Sequence, residues 1–450
     1  MTATLDLSLI PPLGEPRPQP VPEAHETTLP NGLRVVVVPR PGVPLIELRL
    51  RVPFAAPTAA AAREQIALAS VLSGAVLLGT ERHDQTGIAE LLQGHGAELS
   101  VSTDSDRLLF ATTLLTDGLA PVLGLLGELL TGATYPDDGV VGERDRVAER
   151  IAIARSQPAV VARAALAARR YGDHPYAVQL PETQRVTAVD GAALRTLHAQ
   201  RVLPAGSTLV LVGDLDPAAA TDAVADALTG WSATGHAVEA PPAPTATVPG
   251  IELVDRPGAV QSTIRMGGRA PGRTEAELPA VRLANMIFGG YFSSRLVENI
   301  RERRGYTYSP RSSVDHQAAG ASFLVEADVA TEVTGPALME TLYELGRMAL
   351  TPVTEAELDG ARRYVLGSMA LSTATHAGLA STLSALVGAG LPAEWLAEHQ
   401  RALGAVTVEQ IQAVSASYLA PTALTAVVVG DAGLVEGPLG TLARVDVTRG

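Results

Sequence analysis

Nine histidines, no cysteine and no lysine limit the chemistry open to this chain of 450 residues. The histidines stand at 25, 83, 95, 174, 198, 236, 316, 376 and 399, and the closest two, His83 and His95, are 12 residues apart. A zinc-holding helix presents two histidines four residues apart on one face, so no helix here can do that. The lack of cysteine removes disulfides, thiolate nucleophiles and sulfur-ligated metals. All 34 basic residues are arginine, which removes a phosphate-loop lysine, a Schiff base and a Ser–Lys dyad. No G-x-S-x-G motif is present. His174 in YGDHPY and His316 in SVDHQ each follow an aspartate, a pattern that reads as a turn or cap rather than a metal ligand. The densest run of candidates is ENIRERRGYTYS, residues 298–309. A guanidinium donates from a rigid planar fork, and a phenol can donate to a developing oxyanion. Arg301, Arg303 and Arg304 would equally suit a solvated helix C-terminus, and Tyr308 an ordinary strand.

The elements that position these residues come in two copies. VLPAGSTLVLVGDLDP, from Val202, is matched by YLAPTALTAVVVGDAG, from Tyr418. Pro204 and Pro421 are 217 residues apart, as are Gly213–Asp214 and Gly430–Asp431, while prolines 136 and 352 are 216 apart. That period exceeds any short solenoid repeat and indicates two copies of one domain. Residues 231–250, WSATGHAVEAPPAPTATVPG, have no apolar periodicity and read as the linker. The expected organisation is an extension over 1–28, a first domain over 29–230 and a second over 251–450. In the first copy, LRVVVVPRPGVPLIELRLRV reads as two β-branched runs split by a Pro-Gly turn. Helices are predicted over 62–78, 84–95 and 190–200, two strands at ELSVSTD and RLLFATTL, and a buried strand at STLVLVGD. Strands paired by hairpins and flanked by helices predict an α+β sandwich in each domain. A net charge of −14 argues against general nucleic-acid binding. Pro, Gly or charged residues break every apolar run before it could span a membrane. The N-terminus lacks a basic start followed by an apolar stretch, so a cytoplasmic location is expected.

LPNGLRVVVVPRPGVP, from Leu29, YGDHPYAVQLPETQRVTAV, from Tyr171, and above all NMIFGGYFSSRLVENIRERRGYTYSPRSSV, from Asn285, resemble the insulinase or mitochondrial-processing-peptidase family of zinc peptidases. Active members carry an inverted zinc motif, H-x-x-E-H, on a helix of the first domain. The resemblance places Ser70 and Gly74 at the two histidine positions, Ser73 at the catalytic glutamate and Arg150 at the further glutamate ligand, with Glu149 one residue before it. It also implies that Arg301 and Tyr308, seven apart, reach toward the zinc site to contact substrate and the attacked carbonyl. Gly289, Gly290 and Phe292 would then lie against a peptide, although two glycines also suit a plain turn between helices. The family's substrate-edge strand falls at GAELSVSTDSD, with Ser100 where asparagine is usual.

The resemblance implies a non-catalytic subunit that needs no metal of its own. It would pair with a homologous two-domain subunit carrying an intact H-x-x-E-H motif and zinc, and lend Arg301 and Tyr308 to hydrolysis of a peptide. The alternative is a catalytically silent scaffold or peptide-binding protein of the same fold.

Overall fold

The computed structural model describes residues 23–232 and 235–449. The first half builds a six-stranded sheet from β1 (His25–Thr28), β2 (Arg34–Pro39), β3 (Leu45–Pro53), β4 (Ser100–Thr103), β5 (Arg107–Leu115) and β6 (Thr208–Gly213), in the order β1-β2-β6-β3-β5-β4. The second half repeats it with β7 (Ile251–Asp255), β8 (Gln261–Ala270), β9 (Arg311–Gln317), β10 (Gly320–Ala330), β11 (Thr425–Gly430) and β12 (Val445–Thr448), in the order β12-β7-β11-β8-β10-β9. Five strands correspond one to one. The sixth differs: β1 lies antiparallel to β2, whereas β12 comes from the far end of its half and lies parallel to β7. Helices flank both sheets, and the architecture is α+β.

The Pro-Gly turn does not close a hairpin, contrary to the sequence reading. β6 lies between β2 and β3, parallel to the first through Arg34–Thr208 and antiparallel to the second through Ile46–Gly213. The reason is burial. All six residues of β6 are buried, as are all six of β11, and a strand covered on both faces belongs in the middle of a sheet. Gly213 ends β6 where the Leu45 carbonyl occupies the space of a Cβ, and at Gly430 the Ser262 hydroxyl takes that space. That close approach explains why both copies keep a glycine there.

Eight helices bear on the rest: α1 (Ala59–Ala75), α2 (Asp137–Ser156), α3 (Pro158–Tyr171), α4 (Leu278–Asn285), α5 (Thr334–Leu350), α6 (Glu355–Ala374), α7 (His376–Val387) and α8 (Trp395–Ala405). The two halves exchange one each. α3, from the first half, packs on β8 and β11 of the second. α7, from the second half, packs on β3 and β6 of the first. Val36, Val38, Val210 and Val212 therefore join the second half's core with Leu379 and Leu383 of α7, while Val35, Val37, Leu209 and Leu211 face the helices of their own half. The reverse contact is less apolar. Leu166 and Arg170 of α3 lie over Gly267, and Arg170 donates to the Gly268 carbonyl at 2.9 Å and Ser322 Oγ at 3.0 Å.

Trp231, read from sequence as the start of the linker, belongs to the first core. It is 1% exposed and donates its indole N–H to the Val202 carbonyl at 3.0 Å. Residues 235–250 form neither helix nor strand and are tied to both halves. His174 Nε2 donates to Pro241 O at 2.7 Å, and Ala243 N donates to Ala319 O at 2.9 Å. Among the described residues no helix is long and apolar enough to cross a membrane.

Candidate functional site

Two regions carry the residues singled out in the sequence. The first lies where α1 faces α2. Thr58 caps the start of α1 by accepting from Ala61 N. Ser70 Oγ donates to the Ala67 carbonyl at 2.8 Å, and Ser73 Oγ donates to the Ser70 carbonyl at 3.2 Å, so both hydroxyls are spent on their own helix. Gly74 leaves a hollow, and the carboxylate of Glu143 on α2 fills it: a Cβ at position 74 would run into Glu143 Oε1. Arg146 and Arg150, both largely exposed, reach Glu143 at 2.6 and 3.8 Å.

These residues do not fit zinc. Two turned-back hydroxyls, a glycine and a guanidinium supply neither the imidazoles nor the free carboxylate that zinc takes. Among the described residues no group of three or more His, Asp or Glu side chains is placed to hold a metal. Glu143 is the residue that the sequence reading missed by attending to Glu149, which is exposed. Its spacing carried the signal. Glu143 shares one helical face with Val140, Val147 and Ile151, all buried.

The second region follows α4 in the second half. α4 widens into a π-helical turn over Met286–Gly290, and a second π-helical segment covers Val297–Arg303. Such wide turns often mark functional positions. The segment between them is firmly braced. Arg295, 9% exposed, binds Glu357 through two bonds of 2.6 and 2.9 Å. Glu357 also closes the capping box of α6 with Thr354. Burial alone would raise the Glu357 pKa, but Arg295 and the Thr354 amide and hydroxyl hold it at about 2. Asn299 donates to Glu340 and Glu344 of α5 at 2.9 and 2.8 Å, and Arg304 pairs with Glu340 at 2.6 Å.

On this base the neighbouring arginines separate in role. Arg303 is taken by Glu298 and Arg304 by Glu340. Arg301 lies 4.8 Å from the ring centroid of Phe292, a cation–π contact, with Glu302 beside it at 3.2 Å. Phe292 is 63% exposed and Tyr308 is 90% exposed, beyond the left-handed turn at Gly305. The structure thus joins Arg301 to Phe292, while Tyr308 stands apart with no hydrogen bond to either. Gly289 and Gly290 have packing reasons to be glycine: a Cβ would come within 2.8 Å of Ser312 Oγ at the first and 2.6 Å of Met286 Cε at the second. The Tyr291 and Tyr364 rings lie 5.1 Å apart, tilted by 37°, a contact with no local sequence signal.

The remaining candidates are placed as follows. Ser100 is exposed on the edge strand β4, and its hydroxyl returns to the Ala111 carbonyl of β5 at 3.1 Å. His174 caps a short turn by accepting from Tyr176 N at 3.1 Å. His316 lies on β9 beside a cleft between the halves.

Comparison with known proteins adds the family. The model described as insulinase, peptidase family M16, matches residues 62–184, and that described as peptidase M16 inactive domain matches residues 188–365. An uncharacterized zinc protease of Mycobacterium bovis is 27% identical over 405 residues, covering 88% of this chain and 90% of that one. The non-peptidase homolog YmxG of Helicobacter pylori is 23% identical over 336 residues, covering 73% and 76%. Among solved structures, a peptidase M16 inactive domain from Pseudomonas fluorescens superposes with a TM-score of 0.83 at 24% identity, covering 91% of this chain and 98% of that one. A Helicobacter pylori protease gives 0.82 at 17% identity, covering 91% and 100%. At these identities the two structures speak to the fold alone.

Proposed function

Because this chain belongs to the insulinase family, peptidase family M16, in its inactive form, we propose that it is the substrate-contacting subunit of a two-chain peptidase. Its partner would be a homologous two-domain chain that keeps H-x-x-E-H and holds the zinc. The bound metal would supply the activated water and the Lewis acid. This chain's part is to present Arg301, Tyr308 and Phe292 to an extended peptide.

One observation carries the reading. Arg303 and Arg304 are tied to Glu298 and Glu340, whereas Arg301, paired only with its exposed neighbour Glu302, is held over an exposed aromatic ring with Tyr308 bare beyond it, on a segment braced from below. A solvated helix end needs no such sorting. A guanidinium and a phenol so presented can donate to a peptide carbonyl as negative charge develops on it.

The test mixes this chain with the zinc-bearing partner and follows cleavage of an unstructured peptide. Arg301→Ala and Tyr308→Phe should each lower turnover by ~10²–10³ without dissociating the complex, while Arg303→Ala changes little. Full activity in both variants would reduce the pair to surface residues. The description of the Helicobacter pylori relative as a non-peptidase homolog favours a second reading, a silent scaffold of the same fold. That reading predicts a stable pair with no peptide cleavage at all.

A further inference from the structure

Between the two halves lies a cleft of about 680 Å³, walled by Arg51 of β3, the β4–β5 turn, the linker, Arg273 after β8, His316 of β9 and Gly388 after α7. Its charges are unevenly satisfied. Asp104 is bound by Arg107 Nε at 2.8 Å and by two backbone amides of its own turn. Asp106 accepts from Tyr176 Oη at 2.7 Å and from Ala318 N at 2.8 Å. Glu239, on the linker, is exposed. Among the described residues neither Arg51 nor Arg273 has an acceptor. Arg51 lies against Gly388, with Nε and Cζ 2.5 and 2.8 Å from the place of a Cβ there, so the C-terminal carbonyl end of α7 offsets part of its charge, while Asp104 and Asp106 favour it through space without a hydrogen bond. Behind Arg273, Arg282 meets His399 Nε2 at 3.1 Å, and His316 Nδ1 is buried with no partner.

Half-buried guanidinium groups with ten N–H donors between them and no acceptor are costly to maintain. The neighbours confirm the imbalance. Burial and then Arg51 lower the pKa of Arg273, while burial, Arg273 and Arg282 push His316 down to about 4.

We infer that this cleft binds the oxyanion of a small ligand, a phosphate or a carboxylate, between Arg51 and Arg273, with His316 Nδ1–H as a further donor. Both guanidinium forks match such a group in a bidentate manner. The volume lies within the range of small-molecule sites and far exceeds a bare ion. Because Arg51 belongs to the first half and Arg273 and His316 to the second, the ligand would bridge the halves. None of this depends on a peptidase partner.

The two sources of the group, free phosphate and the carboxyl terminus of a short peptide, separate by titration calorimetry on the full chain alone. The probes are inorganic phosphate, trialanine and trialanine amide. Saturable binding of phosphate or trialanine is expected and names the source, and the amide should not bind. Arg51→Gln and Arg273→Gln should each weaken binding roughly tenfold or more, whereas Arg63→Gln, on an exposed face of α1, leaves it unchanged. In parallel, whichever of phosphate and trialanine binds should raise the thermal midpoint of the wild type over chloride at equal ionic strength, and fail to do so in folded Arg51→Gln and Arg273→Gln proteins. Absence of binding by both oxyanions, equal binding to these variants, or an amide that binds as well as the acid overturns the assignment.

Discussion

The two halves share five strands in one order, yet the helix that follows β3 in one and β8 in the other, α1 and α4 respectively, differs in form and in what it presents. In the first half α1 is a regular helix whose Ser70 and Ser73 hydroxyls bond to its own carbonyls and whose Gly74 leaves a hollow filled by Glu143. In the second half the matching helix widens into a π-helical turn and presents an exposed ring and a guanidinium. The cores explain what stayed fixed. β6 and β11 are buried on both faces, and a change there disturbs packing on two sides. The face of α1 that bears Ser70, Ser73 and Gly74 is only half-buried and lies off the sheet, so its residues are held less tightly than those of β6 and β11. The exchanged helices show the same asymmetry: α7 meets valines, whereas α3 meets glycine and holds on through Arg170.

That asymmetry gives the largest expected effect. Leu383→Asp would bury a carboxylate in the valine-lined contact and should cost on the order of 4 kcal/mol or more. Arg170→Ala, in the opposite contact, removes hydrogen bonds from a charged donor and should cost about 1–3 kcal/mol. Denaturant unfolding of both variants checks the ranking, and equal losses would mean that the two contacts are alike. A pH profile follows in size. Glu357 has a folded pKa near 2, below its ordinary 4.5, so its contribution is complete above about pH 4.5 and is lost as pH falls toward 2. His399, pushed down to about 3 by burial and by Arg282, withdraws stability as pH falls from about 6.5 toward 3. Both groups lie in the second half. His399→Gln should therefore flatten the acid limb between about pH 6 and 4, and Glu357→Gln the limb below it, in thermal midpoints measured across pH.

The smallest effect falls where α1 meets α2. Gly74→Ala gains about 1 kcal/mol of helix propensity but must displace the Glu143 carboxylate, at roughly 1–3 kcal/mol. A small net loss is expected in the wild type. In a Glu143→Ala background the same change should become stabilising. Failure of that sign reversal would mean that Glu143 does not fill the Gly74 hollow.

Much of this was legible in the chain. The offset of 217 pointed to the duplication because the repeated Gly-Asp ends a buried strand in each half, at a place where a Cβ would be crowded. What stayed hidden depends on contacts that the local pattern does not encode. β6 lies between β2 and β3 although about 155 residues separate it from β3, and alternation within a strand says nothing about its neighbour. The helix exchange is invisible for the same reason, since an apolar helix face does not say which sheet it covers. Trp231 sat in a stretch of linker composition, and only its burial against the first core reassigns it. Glu143 was readable from its helical face, and Arg51 with Arg273 was not, because 222 positions separate them.

The exchanged helices also set an order of events during synthesis. When β6 has left the ribosome, the first sheet already has its own helices on one side, but Val36, Val38, Val210 and Val212 still face water. Their cover, α7, ends at Val387. At ~5–20 residues per second the chain between Gly213 and Val387 takes roughly 9–35 s to emerge. For that interval a nascent half-molecule displays a row of valines on a formed sheet, a surface suited to chaperone capture or to the same helix from another copy. The lock that makes one body of two domains is thus also a waiting time.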